Sequence, residues 1–431
     1  MNQTKLRLIP ALIAIAFSGS AAAAGFQLLE QNASGLGNSY AGSAAVADNA
    51  STIFFNPAGM TQLQDREVSA GLAIISTQYQ FTNTSSSTGV LSGNSDGGAV
   101  GLVPNAYLSW RLSKDIYAGL GIGAPFGLMS KYDNPWYGAA ESVKFDIQTI
   151  NLNPSIAWRA NEWLSIGGGV NYQQLKAEYE RALTVTSASA AATTATLNLD
   201  GSAWGWNVGA LFTIMPSTKL GLSYRSTTEY DLDGDFEFAG PLAQVSGAPL
   251  FGATVNRSAK ASITLPDTWI LSATHKLNDR VELLGDVSWT GWSSIPKVDV
   301  FNAQTTGLGA VNGNVAQTLD TDFRDTWRVA FGANYQLNDA WKLKAGIAYD
   351  QTPVKGDSTR LVSLPDNDRT WFSLGAQWKP SKTTTLDVGA AYLLVKDTQI
   401  DNNQTAAGRG RVTGDYDNQA FLIGAQLSMA F

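Results

Sequence analysis

The 431-residue chain contains no cysteine and a single histidine, His275. No disulfide can staple it, no thiolate can hold a metal or attack a substrate, and little imidazole acid–base chemistry is open to it. Charged residues supply only 15% of the chain, and the 36 acidic outnumber the 29 basic, the wrong sign for a nucleic-acid partner. Past the first residues there is no run of about 18 apolar residues, so no transmembrane helix is expected.

The chain opens "MNQTKLRLIPALIAIAFSGSAAAAGFQ", with a basic tip at Lys5 and Arg7, an apolar run from Leu8 to Phe17 and then small residues. This order predicts a secretory signal peptide over 1–23, with an A-x-A site at Ala21 to Ala23 and Ala24 as the first mature residue. Without it, 27 basic and 36 acidic residues remain, a net charge of −9. The rest combines 13 Trp, 14 Tyr, 17 Phe and 42 Gly with few charges. An exported, aromatic chain without long apolar runs points to an outer-membrane β-barrel.

Period-2 alternation supports strands. In "FLIGAQLSMAF", Phe421, Ile423, Ala425, Leu427, Met429 and Phe431 share one face, against Gly424, Gln426, Ser428 and Ala430 on the other. Leu164, Ile166 and Val170 alternate with Ser165, Gly167 and Asn171; Val329, Phe331, Ala333 and Tyr335 alternate with Arg328, Gly332 and Asn334. Alternation alone does not separate a soluble sandwich, apolar face inward, from a membrane barrel, apolar face outward.

The connections do. Short turns such as "RLSKD", "RANEW", "KLNDR" and "QLNDAW" alternate with long polar stretches near 83–98, 129–142, 183–201, 233–256, 299–318, 353–365 and 399–413. Tight periplasmic turns and long outer loops are the outer-membrane pattern, and an even count is required. The segments between them predict an all-β, fourteen-stranded antiparallel barrel over 66–431, with a third strand at 115–128 and a tenth at 319–336. Residues 24–65 hold no sustained period; they read as a periplasmic tail or, as expected here, a folded plug in a lumen otherwise filled with water.

The mature start "AGFQLLEQNASGLGNSYAGSAAVADNASTIFFNPAGM", with "SIPK", "PDNDRTW" and the terminal Phe431, resembles the FadL family of outer-membrane transporters of long-chain fatty acids and related hydrophobic compounds. The resemblance spans the mature chain. It implies a hatch carrying the motif Asn56-Pro57-Ala58, a hatch tip near Phe26, and a kinked third strand that opens the wall at Ala124-Pro125-Phe126-Gly127.

Pro125 sits in "GLGIGAPFGLM", whose start alternates like a strand. Proline has no N–H for a ladder, and an unpaired backbone is costly in lipid, so a break there is expected to serve lateral exit unless the strand merely ends. From Ile116 to Pro125 is about 30 Å of strand at ~3.3 Å per residue, or roughly 23 Å of height at a tilt near 40°, close to the outer edge of the apolar band.

The resemblance also implies two basic contacts for a ligand carboxylate, Arg181 in "KAEYERAL" and Arg324 in "DFRDTWRVAFG". Parity puts Arg181 on the face of Ser165 and Asn171, and Arg324 on that of Arg328 and Asn334, both inward if no bulge intervenes. The plainer alternative is solvated lumen arginines paired with Glu178 or Asp322. At ~0.8 kcal/mol per CH₂, burying ~16 carbons is worth roughly 12 kcal/mol, against about 1.5–3 for a charged hydrogen bond. The carboxylate therefore orients and the apolar pocket binds, so a neutral aromatic or alkane hydrocarbon is the alternative cargo.

Weaker patterns carry less. "GLGNSYAG" misses the G-x-G-x-x-G spacing and reads as plug turns. Asp366 and Asp368 lack the further ligands of a calcium loop, and residues 185–195, rich in Ser, Thr and Ala, read as a flexible outer loop. His275 lies beside a short turn with no nucleophile pattern near it, so neither a barrel enzyme nor any metal or cofactor is expected. A diffusion porin needs no forty-residue segment before its first strand. The expected surroundings are outer-membrane lipid and lipopolysaccharide, with the barrel assembly machinery as insertion partner, and the expected state is a monomer.

Overall fold

The computed structural model describes residues 25–244, 256–303 and 315–431. The expected signal peptide lies outside the described residues, as do parts of the outer loops expected at 233–256 and 299–318.

Among the described residues the chain forms fourteen antiparallel strands closed into a barrel. The first six are β1 (Arg66–Asn83), β2 (Val100–Arg111), β3 (Ile116–Gly123, then Gly127–Lys131), β4 (Lys144–Arg159), β5 (Leu164–Ala182) and β6 (Thr194–Met215). Next come β7 (Thr218–Arg225, Thr228–Ala239), β8 (Asn256–Leu265, Thr268–Lys276), β9 (Val281–Thr290, Val298–Asn302) and β10 (Val315–Leu319, Thr326–Gln336). The last four are β11 (Trp341–Asp350), β12 (Arg369–Ser381), β13 (Thr384–Val395, Thr398–Gln404) and β14 (Gly410–Ala430). Pairing of β14 with β1 from Glu67↔Ala430 to Asn83↔Gly414 closes the ring and leaves no free edge there.

The apolar face points outward. Phe421, Ile423, Leu427 and Met429 are about half exposed, while Leu422, Gln426 and Ser428 are buried. The same sense holds on β10, where Phe331 and Tyr335 are exposed and Arg328 and Asn334 buried. Only a barrel in lipid is stable with this polarity.

Three short turns share one local device. Asn161 Oδ1 accepts from the amides of Trp163 and Leu164, Asn278 Oδ1 from those of Arg280 and Val281, and Asn338 Oδ1 from those of Ala340 and Trp341. An asparagine that satisfies backbone donors two and three residues on is what lets the chain reverse so tightly.

Two expectations need correction. Residues 185–195 are not simply loop: Ala188–Ala191 forms a helical turn and β6 begins at Thr194, because the hairpin of β5 and β6 stays paired out to Ala182↔Thr194. The tenth strand is not continuous over 319–336. It breaks between Leu319 and Thr326, where Asp322 takes a positive φ of 42°.

The segment from Gly25 to Leu63 is almost entirely buried against inward-facing strand residues. It carries short 3₁₀ turns at Leu36–Asn38 and Pro57–Gln62 and a helical turn at Thr52–Phe55. "GLGNSYAG" is a compact turn in which Ser39 and Tyr40 adopt φ of 50° and 57°. Its approach to the wall is so close that a Cβ on Gly209 would lie 2.1 Å from Asn56 Oδ1, and one on Gly221 would lie 2.0 Å from the Ala44 carbonyl oxygen. Part of the chain's glycine content is thus explained by clearance on the inner wall.

Candidate functional site

β2 and β3 pair only from Arg111↔Tyr117 to Ala106↔Ile122. β2 runs on to Val100, paired on its other side with β1, but among the described residues no strand pairs with Val100–Asn105 on the β3 side. Pro104 lies in this bare stretch, a second residue without an N–H to satisfy, and one that the sequence reading passed over.

On the far side, β3 is interrupted at Ala124–Phe126. Between Gly123↔Asn151 and Gly127↔Gln148 it uses four steps against three on β4, so one extra residue is accommodated as a bulge. The strand resumes rather than ending before Pro125. Thr149 Oγ1 accepts from the Phe126 amide at 2.9 Å and donates to the Phe126 carbonyl at 2.6 Å, tying the kink to β4.

The N-terminal segment meets the freed backbone from inside. The Leu28 amide donates to the Pro125 carbonyl at 2.8 Å, the Gly127 amide to the Phe26 carbonyl at 2.9 Å, and Gln31 Nε2 to the Ala124 carbonyl at 2.6 Å. Tyr107 Oη, from β2, donates to the Gln31 carbonyl at 2.7 Å. Phe26 is buried, its ring 4.9 Å from Trp292 edge-on and 6.0 Å from Phe126.

Beside this contact lies a cavity of about 50 Å³, lined in part by Leu28, Phe54, Phe126, Trp292, Arg225 and Arg328. Pockets for drug-sized ligands are roughly 300–1,000 Å³. At about 50 Å³ the cavity is too small for a long hydrocarbon chain.

Asn56 holds that segment to the wall. Buried, it donates from Nδ2 to the carbonyls of Ala44 at 2.7 Å and Ala210 at 2.9 Å, and its Oδ1 accepts from the Ala58 amide at 3.1 Å. Pro57 begins the following 3₁₀ turn, where a missing N–H costs nothing. Thr61 Oγ1 donates to Ser165 Oγ at 2.7 Å, so the segment is tied to β5 as well as to β6.

Arg181 and Arg324 are not brought together as a pair. Arg181 keeps the inward parity, with Nε donating to Gln317 Oε1 at 3.1 Å and one terminal nitrogen to the carbonyls of Ala182 and Leu183. Glu178 instead pairs with Lys144. The break in β10 resets the parity for Arg324: Phe323 turns in against Trp292, while Arg324 is 45% exposed and lies 3.7 Å from Asp368. Asp368 also accepts from Tyr349 Oη, on the exposed face of β11, and Asp322 pairs with Lys355.

Other charged groups do reach the interior. Arg225 stacks over Phe54 at 4.2 Å and donates to the Phe54 carbonyl at 3.0 Å. Arg328 donates to the Ser39 carbonyl at 2.6 Å, and Lys344 bonds both Asp387 Oδ1 and the Ser34 carbonyl. Inward parity on strands was the signal that could have found them. Asp366 accepts from the Gly25 amide at 2.9 Å and pairs with Arg369, and His275 Nδ1 lies 2.8 Å from Thr218 Oγ1 beside an exposed turn.

Known proteins resemble this chain in sequence and in fold. Residues 14–431 match the family described as outer membrane protein transport protein (OMPP1/FadL/TodX). Outer membrane protein P1 of Haemophilus influenzae is 32% identical over 461 residues, covering 96% of each chain. The long-chain fatty acid transport protein of Escherichia coli O6:H1 is 30% identical over 463 residues, covering both chains in full. A Pseudomonas aeruginosa FadL homologue superposes with a TM-score of 0.84 at 23% identity, over 94% of this chain and 99% of that one. The Pseudomonas putida toluene transporter TodX does so at 0.68 and 16%, over 95% and 100%. A fourteen-stranded barrel whose interrupted third strand is met from within by its own N-terminal segment, matched over nearly its whole length, belongs to the FadL/TodX family of outer-membrane transport proteins.

Proposed function

We propose that the protein takes up long-chain fatty acids and related hydrophobic molecules across the outer membrane, by binding them in the lumen and releasing them sideways through the gap at Ala124–Gly127. The observation that carries this is the edge of β2 at Val100–Asn105, unpaired on the β3 side among the described residues, beside a broken β3 whose freed backbone is met by residues 26–31. In lipid an unmet backbone costs several kcal/mol per group, so a closed barrel gains nothing from such a defect unless the defect is used.

In this reading residues 24–65 are a hatch rather than a tail, held by Asn56-Pro57-Ala58, and Phe26 marks the part that moves. A signal peptide over 1–23 delivers the chain to the outer membrane, where lipid and lipopolysaccharide surround it and the barrel assembly machinery inserts it as a monomer. The ligand leaves the small cavity beside Trp292 once residues 26–31 withdraw. Transport runs downhill, drawn by consumption inside the cell, with no catalytic step.

A fatty-acid cargo is favoured by the relative named a long-chain fatty acid transport protein, 30% identical over its full length. A monoaromatic cargo is the second reading, favoured by the fold likeness to the toluene transporter. Paired titration of the purified protein with oleate and with toluene, read by tryptophan fluorescence, separates them. Tight oleate and weak toluene binding supports the fatty-acid reading, and the reverse order overturns it in favour of hydrocarbons.

A further inference from the structure

On the outer wall, strands β3 to β8 enclose an apolar recess of about 680 Å³, against about 50 Å³ for the lumen cavity. Ile156, Trp158, Ile166, Val208 and Leu222 rim it, each 39–57% exposed on the lipid face. Its floor is nearly bare backbone, since Gly167 pairs with Gly209 and Gly168 with Val208. The inward glycines are explained by the N-terminal segment: a Cβ on Gly167 would lie 2.6 Å from the Ala58 nitrogen, and one on Gly209 would strike Asn56 Oδ1. Gly168 faces outward with Ile166 and Val170, where no such contact requires a glycine. A Cβ there would meet the Asn207 carbonyl oxygen at 3.3 Å and Val208 Cγ1 at 3.5 Å. The missing side chain keeps the recess open, and the recess lies back to back with Asn56-Pro57-Ala58 across one thin strip of wall.

Outside the barrel a void meets lipid, and a lipid tail is as apolar as the wall, so contact rather than hydrophobicity decides what fills it. An empty recess forfeits dispersion contacts along its whole lining, and a flexible chain that follows its shape regains them. The surroundings supply one such group, an acyl chain. Ile116 and Trp158, paired at the lower rim, adjoin the short turns, which places the recess in the periplasmic leaflet. Half-exposed Trp158 and Trp163 mark the interface there. In the two turns beside the recess Arg111 pairs with Asp65, and Arg159 donates inward to the Thr61 carbonyl. Lys114, Asp115 and Glu162 remain, outside any ion pair among the described residues. One cation beside two carboxylates suits a head that carries both a phosphate and an ammonium, and disfavours a purely anionic one.

We propose that the recess holds an acyl chain of a zwitterionic glycerophospholipid from the periplasmic leaflet, and that this chain props the strip of wall to which Asn56-Pro57-Ala58 is tied. Lys114 meets the phosphate and Glu162 the ammonium. With glycine on both strands, that strip has few side chains of its own to stiffen it. What fills the recess therefore sets how firmly the inner surface holds the motif. The propping rests on the reading of residues 24–65 as a hatch; the lipid site does not.

The test compares the full-length protein purified with its lipid in a mild detergent and the same protein stripped of lipid by extended exchange. Native mass spectrometry is expected to show one phospholipid per barrel. Offered both, the stripped protein should retain phosphatidylethanolamine about fivefold over phosphatidylglycerol, the effect of about one charge near the surface. Gly168→Leu fills the recess from β5 and Val208→Phe from β6, and each should lower retention about fivefold or more. Leu374→Phe, on the lipid face of β12, should change nothing. The amides of Ala58 and Gly59, both bonded to Asn56, should exchange hydrogen about fivefold faster in the stripped parent and recover when phosphatidylethanolamine returns. Unchanged retention in both recess variants, a preference for phosphatidylglycerol, or a second barrel bound in place of the lipid overturns the lipid site. Equal exchange with and without lipid overturns the propping and spares the hatch reading. Unprotected amides in every sample overturn the hatch reading and the propping with it.

Discussion

Gln31 Nε2 donates to the carbonyl of Ala124 at 2.6 Å, so a side chain from the N-terminal segment occupies a hydrogen-bonding position that strand β2 leaves vacant. The contacts over the gap come from that segment rather than from a neighbouring strand. The gap can therefore open without unpairing any two strands.

Closing the wall permanently should separate binding from delivery. A Cβ on Gly127 would meet Leu28 Cδ1 at 3.0 Å, so Pro125→Val combined with Gly127→Leu fills the bulge with side chains. Oleate binding to the purified protein is expected to stay within about threefold, while uptake of radiolabelled oleate by cells falls at least about tenfold. Normal uptake by the double variant would rule out the lateral route.

Loosening the segment should act the other way. Because a Cβ on Gly209 would lie 2.1 Å from Asn56 Oδ1, Gly209→Val displaces the Asn56 anchor without touching the gap. Losing its buried hydrogen bonds costs about 1–3 kcal/mol each, enough to dislodge a segment held by a handful of such contacts. The expected result is a new ion conductance in planar bilayers, absent from the parent protein. A silent bilayer would show that the packing around residues 25–63 survives loss of this anchor.

Glu30 gives the segment a pH dependence. It is fully buried, among the described residues no other residue donates to its carboxylate, and burial raises its carboxyl to about 7, against the pull of Arg328 and Arg369 and with Asp350 adding to the rise. A carboxyl raised in the folded state binds more protons there than in the displaced state, so stability is highest below about pH 4.5 and falls as pH rises to about 7. The loss amounts to about 3 kcal/mol. Hydrogen exchange at the amides of residues 26–35, corrected for intrinsic rate, is expected to show weaker protection at pH 8 than at pH 5. Glu30→Gln should abolish that difference, and an unaltered pH slope in the variant would assign the effect to another group.

The barrel was legible because its signals are local. A two-residue period and short turns marked by Asn161, Asn278 and Asn338 depend on neighbours in the chain, and both are seen in the fold; the long polar connections were expected too wide, since strands run into 194–201, 233–239 and 399–404. The break at Pro125 was legible for the same reason: proline lacks a donor wherever it stands. Arg181 kept its inward parity because β5 runs unbroken to Ala182.

Parity fails once a strand is interrupted, since one displaced residue moves every later side chain to the other face. That is why Arg324, beyond the kink at Asp322, lies out beside Asp368 and Tyr349 while Phe323 turns in to Trp292. Which face of the strands is outside and which segment meets the broken β3 are likewise relations between segments far apart in the chain. Residue type and spacing determine the period, the turns and the ladder-breakers. Closure of β14 onto β1 around the N-terminal segment decides which of those side chains meet, because only a closed wall brings every inward face to one enclosed volume.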